Sequence, residues 1–280
     1  MVDIQYSQNL YTNKEKLREM ISSINLHPFD KIIDIGAGIG VITEELVKHC
    51  DNVIAYELDT KYFSILEELF KDTSNITLKN EDFLTSTLPN KEYKVFANIP
   101  FSLTSDIINK ITDIESKLLE AHLFVQKETS ERYIGILKNT QIAAILSSTY
   151  ELCVTENFDR GDFEPVPNVD VVLLRITKKD NPETEFKLYR DFITYIFNQM
   201  NSNVLDTFKK LFTKNQLSYI KEHLKRNNYN KPSDIPTKYY LETFQYFKTN
   251  GIDYRSVVQG YYTKHINQHL GREKINRTRI

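Results

Sequence analysis

The sequence predicts an α/β fold in which a doubly wound, mostly parallel sheet precedes a small helical domain. Apolar, β-rich runs alternate with stretches of helical spacing over the first part of the chain, which is typical of strands joined by crossover helices. The predicted strands cover residues 31–35, 53–56, 76–78, 95–97, 121–125, 150–154 and 171–176. Sheets of this kind bind ligands beyond the carboxyl ends of their strands.

Helical spacing fills the intervals between these strands. Leu17, Met20, Ile21 and Ile24 predict a helix over residues 14–24. Further helices are predicted up to Val47, over 62–69, over 107–111 and from near Lys127.

The character of the sequence changes at residues 178–182. After this point the helical patterns at 192–197 and 217–224 are not followed by strand-like runs. We therefore predict a first domain over 1–180 and a helical domain over 181–280.

The bulk composition suits a globular protein of two domains. Of the 280 residues, 40% are hydrophobic, and no run is long and apolar enough for a membrane span. No basic-then-apolar leader precedes the first domain, so a cytoplasmic protein without membrane contact is expected. Cys50 and Cys153 lie in apolar surroundings and give no disulfide framework.

The net charge of −2 hides an asymmetry between the two parts of the chain. Residues 1–177 hold 17 basic and 28 acidic residues, a net −11, whereas residues 178–280 hold 19 and 10, a net +9. Such a split indicates two functional parts, one suited to a polyanion, although a solvated lysine-rich surface fits equally well.

A glycine-rich turn follows the first predicted strand, with the sequence Asp34-Ile-Gly-Ala-Gly-Ile-Gly40. Three glycines allow a tight turn and a close approach to a ligand, and their G-x-G-x-G spacing differs from the dinucleotide pattern. Glu57 ends the second strand, where an acidic side chain can bind both ribose hydroxyls or simply lie at the surface. Asp82 follows the third strand and fits either an adenine contact or a turn.

The most specific motif is the tetrad Asn98-Ile-Pro-Phe101 at the end of the fourth strand. An aromatic ring can stack on an extruded base while polar groups bind its edge. The Asn98 oxygen and a backbone carbonyl could each accept one N–H of an adenine amino group, which localises the nitrogen lone pair for attack on a methyl group. Phe101 would hold the base and stabilise the positive charge that develops on nitrogen. This chemistry requires positioning and neither a metal nor a general base.

On these motifs the chain resembles the rRNA adenine N6-methyltransferases, which include the Erm proteins and the small-subunit dimethyltransferases. Residues 7–10 resemble the entry motif S-Q-N-F, with leucine in the last place, and Asn98–Phe101 match N-[IL]-P-[FY]. Residues 125–128 with Arg132 resemble Q-[KR]-E…R, and 163–170 resemble F-x-P-x-P-x-V-D with Asn168 in place of the usual basic residue. Asp34, Ala37 and an L-F-x-K-N-Q segment at 211–216 look more like Erm than like the small-subunit enzymes.

The resemblance implies a Rossmann-like, seven-strand class I methyltransferase sheet that uses S-adenosylmethionine. The implied substrate is an adenine of 23S rRNA, naked or in a ribosome precursor, whose methylation gives macrolide, lincosamide and streptogramin B resistance. A monomer is expected. The implied contacts to the methyl donor come from Gln8, Asn9, Leu10, Gly36, Gly38, Glu57, Asp82, Phe83 and Asn98; the catalytic residues are Asn98, Pro100 and Phe101; the RNA contacts are Lys127, Arg132, Arg272, Lys274, Arg277 and Arg279.

Two other functions fit parts of the sequence. A small-subunit rRNA adenine dimethyltransferase would perform the same chemistry on a different RNA. A non-catalytic RNA-binding or transcription factor could retain the fold, but its glycine loop and tetrad would not need to be intact. His265 and His269 are spaced to share a metal, yet no third ligand lies nearby in the sequence, so no metal site is expected.

Overall fold

The computed structural model describes residues 9–200, 203–251 and 254–269. The chain divides into two compact units, one formed by residues up to 134 together with 150–180, the other by 135–149 together with residues from 181 onward. The segment 135–149 thus packs with the second unit, whereas its position in the sequence predicted that it belongs to the first domain. The reason is its apolar helix: Ala144 and Ile145 are buried in the same core as Tyr189 and Phe192.

The first unit is built on a seven-strand sheet with two further short strands. The strands are β1 Leu10–Tyr11, β2 Lys31–Ile35, β3 Asn52–Tyr56, β4 Ile76–Lys79, β5 Tyr93–Asn98, β6 Leu118–Gln126, β7 Tyr150–Asn157, β8 Phe163–Glu164 and β9 Val171–Lys178. The sheet has the order β4-β3-β2-β5-β6-β9-β7, and β9 is antiparallel to both of its neighbours. This confirms the predicted α/β fold and its mostly parallel sheet.

The pairing of β1 with β8 was not predicted. These strands form a separate antiparallel ribbon in which Leu10 pairs with Glu164 and Tyr11 with Phe163. Each strand has two residues, too few for an alternating pattern to show in the sequence.

The first unit has five α-helices among its described residues, and each of them comes after a strand in the chain. They are α1 Lys14–Ser23, α2 Val41–Leu46, α3 Thr60–Leu69, α4 Thr104–Ile111 and α5 Lys127–Ile134. The side chain of Asn13 caps α1 by accepting from the Lys16 amide, and Leu17, Met20 and Ile21 face the core. Because Ile24 is extended, α1 ends one residue before the predicted 14–24 boundary. The crossover helices bring the ends of β2, β3 and β5 to one edge.

The second unit is helical in its described part. Its helices are α6 Gln141–Leu146, α7 Phe186–Phe197, α8 Val204–Phe208, α9 Lys214–Arg226, α10 Thr237–Asn250, α11 Arg255–Val258 and α12 Tyr261–His269. Aromatic rings fill its core, with the Phe192 and Phe247 centroids 5.0 Å apart. Among the described helices, not one is both long and apolar enough to cross a bilayer.

Candidate active site

The glycine turn between β2 and α2 depends on residues without a side chain. Gly38 and Gly40 have φ of +57° and +90°, a conformation that favours glycine. A Cβ at Gly38 would lie 3.0 Å from the Leu10 Cδ2, and one at Gly40 would lie 2.9 Å from the Leu69 Cδ2. The turn is therefore closely surrounded, and any larger residue there would displace its neighbours.

Glu57 connects this turn to the end of β3. Its carboxylate is buried; Oε2 accepts from the Gly38 amide at 2.7 Å and Oε1 accepts from the Asp59 amide at 2.8 Å. Glu57 is therefore not a surface glutamate, which was the alternative that the sequence left open. A carboxylate oxygen can accept more than one hydrogen bond, so each oxygen retains capacity for a ribose hydroxyl.

Asp34 lies at the start of the turn and is fully buried. Its Oδ2 accepts from the Thr43 hydroxyl at 2.6 Å, whereas Oδ1 has no partner among the described residues. The pKa of the Asp34 carboxyl is raised to about 7, mainly by burial; the Thr43 hydrogen bond opposes this shift and the nearby Glu57 contributes to it.

This raised pKa predicts a pH-dependent stability. The folded protein binds the Asp34 proton more tightly than the unfolded chain, so the free energy of unfolding falls as the pH rises from 3.8 towards 7. As the pH rises from 5 to 8, the free energy of unfolding of Asp34→Asn should increase by about 2–3 kcal/mol relative to that of the unchanged protein. Denaturant unfolding at each pH measures this difference. Asp51→Asn, at an exposed carboxylate, should show no such gain. Parallel pH curves for Asp34→Asn and the unchanged protein would contradict this assignment.

Three of the expected donor contacts line one cavity beside the turn. Leu10, Gly36 and Asn98 share it with neighbouring residues of β1 and of the turn, including Ala37 and Ile39. Asn9 lies next to it, because its backbone carbonyl accepts from Asn98. The cavity is thus bounded by the glycine turn, the N-terminal strand and the tetrad.

Asp82 and Phe83 belong to a turn after β4. The Asp82 Oδ1 accepts from the Leu84 amide at 2.8 Å, which is the turn role that the sequence left open, and leaves Oδ2 for another donor. Phe83 is buried and packs edge-to-face on Tyr56, with centroids 5.2 Å apart. Tyr56 is the last residue of β3, next to Glu57, so this turn lies beside the glycine loop.

The tetrad begins at the last residue of β5. The Asn98 Nδ2 donates to the Asn9 carbonyl at 2.6 Å, and this orients the side-chain amide. With the nitrogen engaged, Oδ1 remains as the acceptor, and the described residues place no donor on it. Pro100 is buried, and the half-buried Phe101 opens a short 3₁₀ turn over Phe101–Leu103.

The β1–β8 ribbon supports this arrangement, which the sequence did not reveal. The Asn9 Nδ2 donates to the Pro165 carbonyl at 2.5 Å, and the Asp162 carbonyl accepts from both the amide and the hydroxyl of Thr12. The family motifs at 7–10 and 163–170 come from opposite ends of the first domain, and their described residues are therefore adjacent in space. Their shared family pattern was the only available signal of this proximity.

The predicted RNA contacts fall into two groups. Lys127 and Arg132 are exposed on α5, where Arg132 donates to the Ser105 hydroxyl at 3.3 Å. Arg160, not singled out from the sequence, is also exposed and donates twice to Asp170. Gln8, Arg272, Lys274, Arg277 and Arg279 lie outside the described residues.

Known proteins match this chain in sequence and in fold. The model of the family described as ribosomal RNA adenine dimethylase matches residues 2–249. An rRNA adenine N-6-methyltransferase of Escherichia coli is 33% identical over 237 residues, which is 81% of this chain and 89% of that protein. Ribosomal RNA small subunit methyltransferase A of Thermotoga neapolitana is 33% identical over 213 residues, 74% of this chain and 81% of that protein.

A solved structure supports the fold. The crystal structure of the 23S rRNA methyltransferase ErmE superposes with a TM-score of 0.76 at 20% identity and covers 86% of this chain and 100% of that one. At this identity the superposition concerns the fold alone.

Proposed function

The chain belongs to the ribosomal RNA adenine dimethylase family, and from that membership we propose that it methylates the N6 amino group of an adenine in 23S rRNA. Membership confirms the resemblance, the enzyme class and S-adenosylmethionine as the methyl donor. The adenine, the ribosomal subunit and the residue roles are the proposed part. Methylation at the drug site would give macrolide, lincosamide and streptogramin B resistance, and the protein would act as a cytoplasmic monomer.

One observation carries the proposed chemistry. The Asn98 amide donates its N–H to Asn9, so its oxygen is the free end, at the rim of the cavity beside the glycine turn. An adenine amino group can donate one N–H to that oxygen and the other to a backbone carbonyl. This would leave the nitrogen lone pair available to a sulfonium methyl group bound beside the turn. The N–CH3 bond would form as the S–CH3 bond breaks, leaving a thioether, and the amino nitrogen would release one proton to water.

Bound S-adenosylmethionine supplies an electrophilic methyl group, and the residues present fit it. Gly36 and Gly38 allow its close approach, Glu57 offers carboxylate oxygens to the ribose, and Asp82 offers Oδ2 to the adenine amino group. Asn98 and Phe101 are left to hold the target base.

The choice of 23S rRNA over the small-subunit RNA rests on Ala37, Asp34 and residues 211–216. In that segment Leu211 and Phe212 are buried, and Thr213 with Gln216 forms the capping box of α9. Lys214 and Asn215 remain exposed in the first turn of α9, so they are the members of the segment available to RNA.

The test compares both RNAs as substrates. Full-length protein with labelled S-adenosylmethionine is given protein-free 23S rRNA or unmethylated small-subunit rRNA, and the modified base is mapped by primer extension and mass spectrometry. We expect label on one adenine of 23S rRNA and drug resistance in a susceptible host, with both strongly reduced for Asn98→Ala. Label confined to small-subunit rRNA would replace the proposal by the small-subunit dimethyltransferase.

The charge asymmetry predicts that the basic tail binds phosphates. Truncation after His269 keeps the helix α12, which packs on α7 through Tyr195 and Tyr261, and removes Arg272, Lys274, Arg277 and Arg279. For each phosphate that the truncated protein no longer binds, the slope of log affinity against log salt should fall by roughly 0.7–0.9. The choice of adenine should not change, because groups that bind phosphates position the RNA without specifying its sequence.

Filter binding across a salt series measures this slope. A variant with the four tail residues changed to glutamine should match the truncation. Identical slopes for the full chain and both variants would exclude the tail and leave Lys127 and Arg132 as the main candidates.

A further inference from the structure

Lys110 on α4 holds the turn that carries Asp82 and Phe83. Its Nζ donates to the carbonyls of both Phe83 and Ser86, and it lies 4.8 Å from the centroid of the Phe83 ring. A single side chain from another element thus binds the backbone of the turn and one ring within it.

The turn has hydrogen bonds of its own, and Lys110 adds donors to it from another element. The Asp82 carbonyl accepts from the Thr85 and Ser86 amides, and the Asp82 side chain accepts from the Leu84 amide. The Phe83 carbonyl accepts from the Ser86 amide and hydroxyl as well as from Lys110, and the Ser86 carbonyl also accepts from Lys110. An ammonium has three donors, so it can bond to both carbonyls at once. Hydrogen bonds from a charged donor are stronger than those from a neutral one.

The surroundings of Lys110 are partly desolvated and acidic. Burial lowers the pKa of its ammonium, while the carboxylates of Asp82 and Glu81 oppose the shift. The cation lies against a face of Phe83, an attraction that fixes the ring as well as the backbone.

We propose that Lys110 is a positioning residue for the methyl donor. Lys110 holds Asp82 and Phe83 in the orientation that receives the donor's adenine. This inference rests on the proposed function, in which Asp82 and Phe83 form the adenine end of the donor site. Lys110 itself touches neither the methyl group nor the target base in this account.

The test uses Lys110→Met, which fills similar space without donating, and Lys110→Arg, which keeps the charge. Lys94 provides the matched control, because it is a partly buried lysine that donates to the Asn25 carbonyl and to Asp30, both at 2.7 Å, away from the turn. Calorimetry with S-adenosylmethionine gives the donor Kd, and steady-state rates give KM for the donor, KM for RNA and kcat.

For Lys110→Met we expect the donor Kd and donor KM to rise about tenfold or more, the loss expected when charge-assisted hydrogen bonds are removed. The kcat at saturating donor and the KM for RNA should stay close to the unchanged protein, and Lys110→Arg should recover part of the affinity. Lys94→Met should lower the unfolding midpoint and leave the donor Kd unchanged.

An unchanged donor Kd in a folded Lys110→Met protein overturns the inference, as does an equal rise in Lys94→Met. If the methionine variant does not fold, Lys110→Arg is the deciding variant. Its guanidinium N–H groups are displaced from the positions of the ammonium, so the Kd for S-adenosylmethionine should rise while the unfolding midpoint stays near normal. An unaltered Kd in this variant refutes the role. Failure of the proposed function is distinct, because label confined to small-subunit rRNA would leave donor binding by the unchanged protein, and the effect of Lys110→Met on the donor Kd, as they are.

Discussion

Replacing Asn98 with alanine should lower the rate of methyl transfer by about 100- to 1000-fold, the loss seen when one preorganised hydrogen-bond partner of a reacting group is removed. The reason is geometric: the Asn9 carbonyl fixes the Asn98 amide through a bond of 2.6 Å, and the free oxygen is the acceptor for the adenine amino group. Single-turnover rates at saturating donor and RNA measure this effect, and RNA binding should change far less than the rate.

A second asparagine provides the control for this variant. Asn75 is also partly buried, and its Nδ2 donates to the Val47 and Cys50 carbonyls, both at 2.8 Å. Asn75→Ala should destabilise the fold without slowing the chemical step. If the two variants slow transfer equally, Asn98 acts through the stability of the fold and the proposed role is wrong.

Replacing Phe101 with alanine should remove the platform for the target base and cost about 1–3 kcal/mol of stacking. Transfer should fall by the corresponding factor, roughly 5- to 150-fold, while donor binding stays near normal. Because Phe101 is half-buried and packs against the core of the first unit, part of any loss could come from packing.

Two further substitutions separate stacking from packing at this position. Phe101→Tyr keeps the ring and should keep most of the activity, whereas Phe101→Leu keeps the apolar contact and should lose activity like alanine. Full activity in the leucine variant, or equal losses of donor binding and transfer in the alanine variant, would identify Phe101 as a core residue only.

The sheet was predictable because burial imposes a pattern on each strand. All seven predicted runs lie within strands of the observed sheet, and Ile33, Val95 and Leu123 on its central strands are fully buried. The antiparallel direction of β9 could not be read from such a run, because strand direction leaves no mark on an apolar segment.

The division into units was harder to predict. Chain order placed residues 135–149 in the first domain, yet the Tyr189 hydroxyl donates to the Ala144 carbonyl at 2.9 Å within the second unit. That attachment spans 45 residues of sequence and has no local signal.

Within the candidate site, residue types were predictable and their orientations were not. A glutamate after β3 is visible in the sequence, but its bonds to the Gly38 and Asp59 amides are not. Lys110 sits in an ordinary amphipathic helix, so only the structure connects it to the turn at Phe83. The assigned roles of Glu57 and Asp82 remain predictions, and those of Phe101 and Lys110 are tested by the variants described above.

The identity of the methylated nucleoside tests the central claim most directly. Full-length protein is incubated with S-adenosylmethionine carrying a deuterated methyl group and with 23S rRNA, which is then digested to nucleosides and analysed by mass spectrometry. The account predicts deuterated N6-methyladenosine or N6,N6-dimethyladenosine, and a strongly reduced yield of both with Asn98→Ala at the same reaction time. A deuterated methyl group on a ring carbon, on a ribose or on another base would contradict it, as would N6 methylation that persists undiminished in Asn98→Ala.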